Sequence, residues 1–310
     1  MWFKSLLAGL VVVVSAARVD AEVTLRMKFE AGKTTRQKLT MKQSMTMTPP
    51  GGAVTKMEIE QAMYQDLKCL KVTDNVAELE QTLTRATANM QMPAPLNLNL
   101  KYDSDEKTAS NPFAKQLDAV LRPMIGAPCS MKSDLLGKIS DVKVSEEALK
   151  GIKNSQLGSL GGDLTSPEGV QRMTEQAAIQ FPEGTIDIGR EWDTVITMNS
   201  PIGTMTMTRH HTYKGVDPES GLEKIEVTVD KTLEPSETPN PALQGAKVEM
   251  KSGSGKGVFL FNAKLGRIAR SQLLDQTEME ITAGNQVIPQ QIDVDVVLED
   301  LTGKTESTAP

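Results

Sequence analysis

The groups in this chain whose types and spacing could do chemistry are thioethers, thiols and imidazoles. Met45/Met47, Met90/Met92 and Met205/Met207 are all Met-x-Met pairs, and the first and last sit in the near-identical runs SMTMT and TMTMT. In an extracytoplasmic protein such paired thioethers could take Cu(I), a soft ion that prefers sulfur. The same spacing also puts both side chains on one face of a strand, where a flexible thioether fills irregular apolar space. With 17 methionines, many outside any pair, Met reads as this chain's core residue. No metal and no cofactor is assigned.

The remaining candidates thin out in the same way. His210 and His211 are the only histidines, and neighbours on a strand point to opposite faces, so they do not chelate together or build a Ser-His-Asp or Cys-His arrangement. GSGKG at 253–257 lacks the full phosphate-loop pattern and runs into the strand-like VFLF rather than a helix, so it reads as a Gly-rich hairpin turn. Asp293/Asp295 and Glu278/Glu280 read as the wet faces of strands. No catalytic residue emerges. Cys69 and Cys129 form an even pair; they are either one disulfide, which an oxidising compartment permits, or two free thiols, Cys69 lying within the strand-like DLKCLKV.

The elements around these residues are mostly strands. Val23, Leu25, Met27 and Phe29 alternate with polar residues, and the beat continues with Leu39, Met41, Met45 and Met47, the mark of a strand with one apolar face. Pro49-Pro50-Gly51-Gly52 turns the chain, and Met57, Ile59, Ala62 and Tyr64 begin the return. LKCLKV, 76–92 and LNLNLKY add further strands. In the middle, NPFAKQLDAVLRPMIG places Asn111 and Pro112 as a helix start with Phe113, Leu117, Val120, Leu121 and Met124 on one face. Further helices start at Ser145 and Ser166. After 182 the strands resume through 183–302, with Met198, Met205 and Met207 on the expected apolar face, and SETPNPAL forms a Pro-rich connection.

Two stretches match without a gap. FEAGKTTRQKLTM (Phe29–Met41) and IDIGREWDTVITM (Ile186–Met198) share an apolar residue, an acid, Gly, a base and an aliphatic-Thr-Met ending. They read as a duplicated strand-turn-strand unit in which Gly32 and Gly189 occupy the turn. The expected fold class is therefore α+β: a curved antiparallel sheet or incomplete β-barrel made of two related β halves (22–110 and 183–302), with a central helical insert (111–182) packed on its inner face and a loose tail (303–310).

Location and partners follow from composition. Residues 1–21 combine a basic start, a short apolar run and small residues at a cleavage position, which reads as a signal peptide and a periplasmic or secreted mature chain without a transmembrane segment. The net charge is −6 over 310 residues with no basic block, which excludes a nucleic-acid footprint.

With its export signal, apolar-x-x-Gly start, Met-Thr strands, KYDSDE before the central helix, and FPEGTIDIGREW opening the second half, the chain resembles a family of uncharacterised secreted bacterial proteins, a domain of unknown function. That resemblance implies a location and a fold but no activity. In fold alone it also looks like the half-barrels of periplasmic lipoprotein carriers. The expectation is a non-catalytic binding or carrier module for a lipid or other hydrophobic ligand, lined by Leu39, Met41, Met45, Met47, Met198, Met205 and Met207. The alternative is a structural or scaffold protein of the cell envelope that engages another protein.

Overall fold

The computed structural model describes residues 22–48, 51–52, 54–92, 97–106, 112–153, 167–200, 202–236 and 245–304. The signal segment, the helix start at Asn111, most of SETPNPAL and the end of the tail lie outside them. Strands β1 (Thr34–Met47), β2 (Thr55–Thr73), β3 (Val76–Met92) and β4 (Leu98–Asp103) lead into helix α1 (Pro112–Leu121), a 3₁₀ turn (Arg122–Met124), β5 (Pro128–Ser133), β6 (Ile139–Val144), α2 (Glu146–Lys153) and α3 (Pro167–Ala177). Then follow β7 (Glu191–Ser200), β8 (Gly203–Val216), β9 (Glu223–Pro235), β10 (Lys247–Asn262), β11 (Arg267–Ala283) and β12 (Gln286–Asp300).

All the strands join one 12-stranded antiparallel sheet in the order β6-β5-β3-β2-β1-β12-β11-β10-β9-β8-β7, with β4 also on β3. The sheet does not close. Its strands are long because alternation persists across them: LKCLKV is the end of β2 rather than a separate strand, and Asp74 and Asn75, both at positive φ, make the tight turn into β3.

The duplication is visible in the hydrogen bonds. Gly32 N–H donates to the Cys69 carbonyl, Lys33 N–H to Glu30, and Cys69 N–H to Lys33; 157 residues on, Gly189 donates to Tyr213, Arg190 to Asp187, and Tyr213 to Arg190. Both glycines have positive φ, +80° and +92°. The Met-Thr runs, however, are not equivalent copies. Met45 and Met47 lie on the outgoing strand β1, and Met205 and Met207 on the return strand β8.

The middle stretch is not purely helical, since it contributes the hairpin β5–β6 that extends the sheet beyond β3. Its helices meet the sheet toward its edges, α1 lying on Ala86 and Ala88 of β3, on the face that carries Met63 and Leu39. The element packing places α1 on β4 and α3 on both β6 and β7, so that α3 spans the gap between the two edge strands. On α1 the buried residue is Ala114, while Phe113 is 53% exposed. The face turned inward carries Ala114, Leu117 and Leu121 instead, against Ala86, Ala88 and Tyr102. Ser145 caps α2 as its position implies, its hydroxyl accepting from Ala148 N–H at 3.3 Å.

What fills the sheet at the end opposite the β1–β2 turn is the N-terminal segment. Val23 exchanges backbone hydrogen bonds with Ile186, Met27 N–H donates to Leu135, and Lys28 N–H to Gly266. Leu25, 1% exposed, sits in a core with Phe181, Ile186, Tyr213, Ile225, Val227, Val229 and Phe261. A second core, around Cys69, Ala77, Leu79, Met131 and Val142, receives Phe29. Phe29 and Ile186 are equivalent in the duplicated unit, and each anchors one core.

Candidate functional site

The strand registers sort side chains onto two faces. On the apolar face, successive rows read Met63–Leu39–Leu298, then Gln61–Met41–Val296–Leu273, then Ile59–Gln43–Val294–Asp275, then Met57–Met45–Ile292–Thr277. Met47 continues this face on β1. In the second half, Met198 is directly opposite Met205, and Met207 opposite Ile196. Met205 and Met207 in turn lie opposite Leu233 and Lys231 of β9. The structure thus brings Leu39, Met41, Met45, Met47, Met198, Met205 and Met207 onto one face of one sheet, all of them partly buried. The described helices pack on β4, β6 and β7; among the described residues no helix packs over the apolar face of β1, β2, β11 and β12.

Within the second half that face carries polar groups the sequence does not announce. Lys231 on β9 pairs with Asp275 on β11 and donates to Thr277 Oγ1 at 3.0 Å, with Lys231 7% and Asp275 12% exposed at the side chain. Strand β10 runs between them, and GSGKG lies within it rather than in a turn. A Cβ at Gly253 would come within 2.8 Å of Lys231 Cβ, so glycine is what lets the lysine cross.

Beside this pair, burial lowers the pKa of Arg209, while Asp275 raises it. His211, 1% exposed, stacks on Trp192 at 5.2 Å between ring centroids and shares a 3.0 Å hydrogen bond between Nε2 and Thr194 Oγ1; its Nδ1 is buried without a partner. Burial, then the charge of Arg209, pushes the His211 pKa down to about 4, so the ring is neutral. His210 points to the opposite face, as the alternation requires, with Nδ1 2.8 Å from Asp193 Oδ1. Neutral His211 thus lies in an apolar stack against Trp192 with the Thr194 hydroxyl on its Nε2.

Cys69 and Cys129 are free thiols, the second of the two alternatives that the sequence leaves open. Both face the second core, but strand β3 lies between β2 and β5, and Cys69 is opposite Leu79 while Cys129 is opposite Gln81. Two strand spacings, about 10 Å, exceed the Cα separation a disulfide spans. Burial pushes both thiol pKa values up.

An 860 Å³ cavity does open on the sheet, but on the polar face. Its lining comes from β3, β2, β1, β12, β11 and β10 at matching register and contains none of the seven candidate residues. Among the described residues no group of His, Cys, Asp and Glu is placed to hold a metal ion, and no helix is long and apolar enough to cross a membrane.

Among solved structures the chain is similar to lipovitellin, described for its lipid–protein interactions, at a TM-score of 0.42 and 12% identity over 87% of this chain and 26% of that one. The chain therefore spans only 26% of the lipovitellin chain it matches. It is also similar to an outer-membrane channel from Pseudomonas putida F1, with TM-score 0.26 and 7% identity over 87% of this chain and 97% of the other. A third likeness is to DynF of the dynemicin biosynthesis pathway of Micromonospora chersina, with TM-score 0.21 and 8% identity over 89% and 83%. Among curated proteins none matches the chain. The family model that matches covers residues 74–268, more than half of the sequence, and the chain belongs to that family, a family of unknown function (DUF6263).

Proposed function

We propose that the protein is an exported, non-catalytic binding module that holds an apolar ligand of the lipid acyl class against the methionine-lined face of its sheet. The observation that carries this reading is the run Met41, Met45, Met57, Ile59, Ile292 and Val294, neighbours on β1, β2 and β12 with no described helix packed over them. Apolar surface of this kind is stabilised by a cover. Unbranched thioethers suit a cover of variable shape, because they repack at little cost. Residues 1–21 support export to a periplasmic or external location.

The test is displacement of a fluorescent fatty acid from the mature protein, read by emission, together with native mass spectrometry of protein purified from its own compartment. Saturable binding that is lost in Met45→Lys and Ile292→Lys, with the fold retained by circular dichroism, is the expected result. A bare native mass together with no saturable binding by the unmodified protein would sink the reading and turn attention to a scaffold role in the envelope.

A further inference from the structure

Burial on the apolar face changes at one level of the second half. On β8, Tyr213 and His211 are 1% exposed, and on β9 Ile225, Val227 and Val229 are fully buried. The next residues on the same face, Arg209 and Lys231, are the first that are only partly buried, and Met207, Met205 and Leu233 stay partly buried from there to the strand ends. The face is therefore packed solid as far as His211 and Val229 and accessible beyond them. Arg209 and Lys231 stand at that boundary as diagonal neighbours, since Arg209 is opposite Val229 and Lys231 is opposite Met207.

Two cations at the inner end of an apolar surface call for matching charge, because a charge taken out of water without a counter-charge is costly. Lys231 is matched by Asp275. Arg209 shares a row with that same carboxylate, with Val229 and Gly255 between them, three strand spacings or about 14 Å at the backbone. Burial lowers the Arg209 pKa and Asp275 raises it. Among the described residues, this level of the face carries two cations and one carboxylate, an excess of one positive charge. A guanidinium has five N–H donors in a planar fork, so it can hold a two-oxygen acceptor beside its other contacts. From Arg209 to Gly203, where β8 begins, the strand covers about 20 Å, the length of one extended long-chain acyl group. Across the sheet, Ile292 and Met45 likewise stand one row nearer the strand ends than Asp275.

We propose that the ligand is a long-chain fatty acid bound head inward, its carboxylate on Arg209 and its chain running along Met207, Met205 and Met198 toward the ends of β7 and β8. This rests on the reading of the face as an acyl-binding surface and adds to it the head group and the direction. A carboxylate is a monoanion, so it cancels the excess charge at this level, and its two oxygens match the guanidinium fork. The filled core beneath His211 and Val229 stops the head there, and the methionines beyond Arg209 accommodate the chain.

The test uses the full mature protein and displacement of a neutral apolar dye, N-phenylnaphthylamine, by three ligands of equal chain length: hexadecanoate, hexadecanol and hexadecyl phosphate. Hexadecanoate is expected to bind about tenfold or more tighter than hexadecanol, as one charge-assisted, two-pronged pair implies. That preference should be lost in Arg209→Gln and fall between the two in Arg209→Lys, which keeps the charge without the fork. The readout is a ratio of two affinities, so a damaged fold, which weakens both ligands, does not mimic the result. Equal affinities in the unmodified protein, or a preference that survives Arg209→Gln, overturns the proposal and leaves the acyl reading standing. Hexadecyl phosphate binding more tightly than hexadecanoate overturns it too, by assigning the head to a dianion. Failure of the dye and of all three ligands to bind removes the acyl reading itself, and this proposal with it.

Discussion

Lys231 reaches Asp275 by lying across strand β10 at Gly253, so a cation from β9 and an anion from β11 meet over a strand that presents no side chain there. The pair is almost fully covered, and Thr277, 5% exposed, takes a second hydrogen bond from the ammonium. An ion pair so placed stabilises little compared with an apolar pair of the same shape, but each partner depends on the other.

Removing one partner should therefore cost far more than removing both. Lys231→Met is expected to destabilise by about 3–5 kcal/mol because Asp275 is left buried and uncompensated, whereas Lys231→Met/Asp275→Leu should return close to the original stability. Urea unfolding of the three proteins measures this directly. Equal losses in the single and double variants would show that the pair is not coupled.

Gly253→Ala should destabilise by about 1–3 kcal/mol through overpacking, since the new Cβ would stand 2.8 Å from Lys231 Cβ and 3.1 Å from the Met250 sulfur. Its effect should shrink in the Lys231→Ala background, where the obstructing stem is shortened. An unchanged penalty would place the strain elsewhere in β10.

The pH dependence of stability should carry the signature of His211. Its folded pKa is about 4, below the ordinary imidazole value, so between those two values the unfolded chain binds more protons than the folded one. The associated stability is fully present above pH ~6.5 and is lost as pH falls toward ~4, by up to about 3 kcal/mol. His210 acts with the opposite sign, its pKa raised by the hydrogen bond to Asp193, and its contribution fades as pH rises. That contribution is small because the ring is 42% exposed. His211→Gln should flatten the acid limb of a plot of urea midpoint against pH, and an unaltered limb would remove His211 as its source.

Much of the sheet is legible in the sequence because alternation over a long strand leaves a strong signal: Leu39 to Met47 and Ile292 to Leu298 give both the strand and its apolar face. The hairpin β5–β6 is not legible, since its alternation breaks at the register shift between Ser130 and Lys132 and again at Asp141, whose φ is +52°. GSGKG misleads for a related reason. Glycines at alternate positions of a strand look like a turn unless one knows that Lys231 must cross there, and Lys231 and Asp275 are 44 residues apart. Asp293 and Asp295 do lie on the polar face as their spacing implies, but that this face is concave depends on the curvature of the whole sheet.

The thiols should behave as separate, shielded groups. Denatured protein is expected to titrate two thiols with an aromatic disulfide reagent, whereas the native protein reacts slowly, since burial of Cys69 and Cys129 raises both pKa values and limits access. An intact mass two hydrogens short would contradict the strand order, because β3 separates the two residues.

The N-terminal segment is the last piece whose role can be tested, and it decides whether the open sheet needs a filler. Leu25 is 1% exposed among Phe181, Tyr213 and Phe261, and its neighbours Val23, Met27 and Lys28 hydrogen-bond to three separate parts of the chain, at Ile186, Leu135 and Gly266. Leu25→Ala should therefore cost about 2–5 kcal/mol, the range for truncating a buried leucine. Leu274→Ala, on the polar face at 42% exposed, should stay within about 0.5 kcal/mol. If the segment acts as a clasp between distant parts of the sheet, Leu25→Ala should also raise hydrogen exchange at β7 and β6 together, since α3 joins both edges. Faster exchange confined to residues 22–30 would mean that the segment docks on a sheet whose edges α3 already holds together.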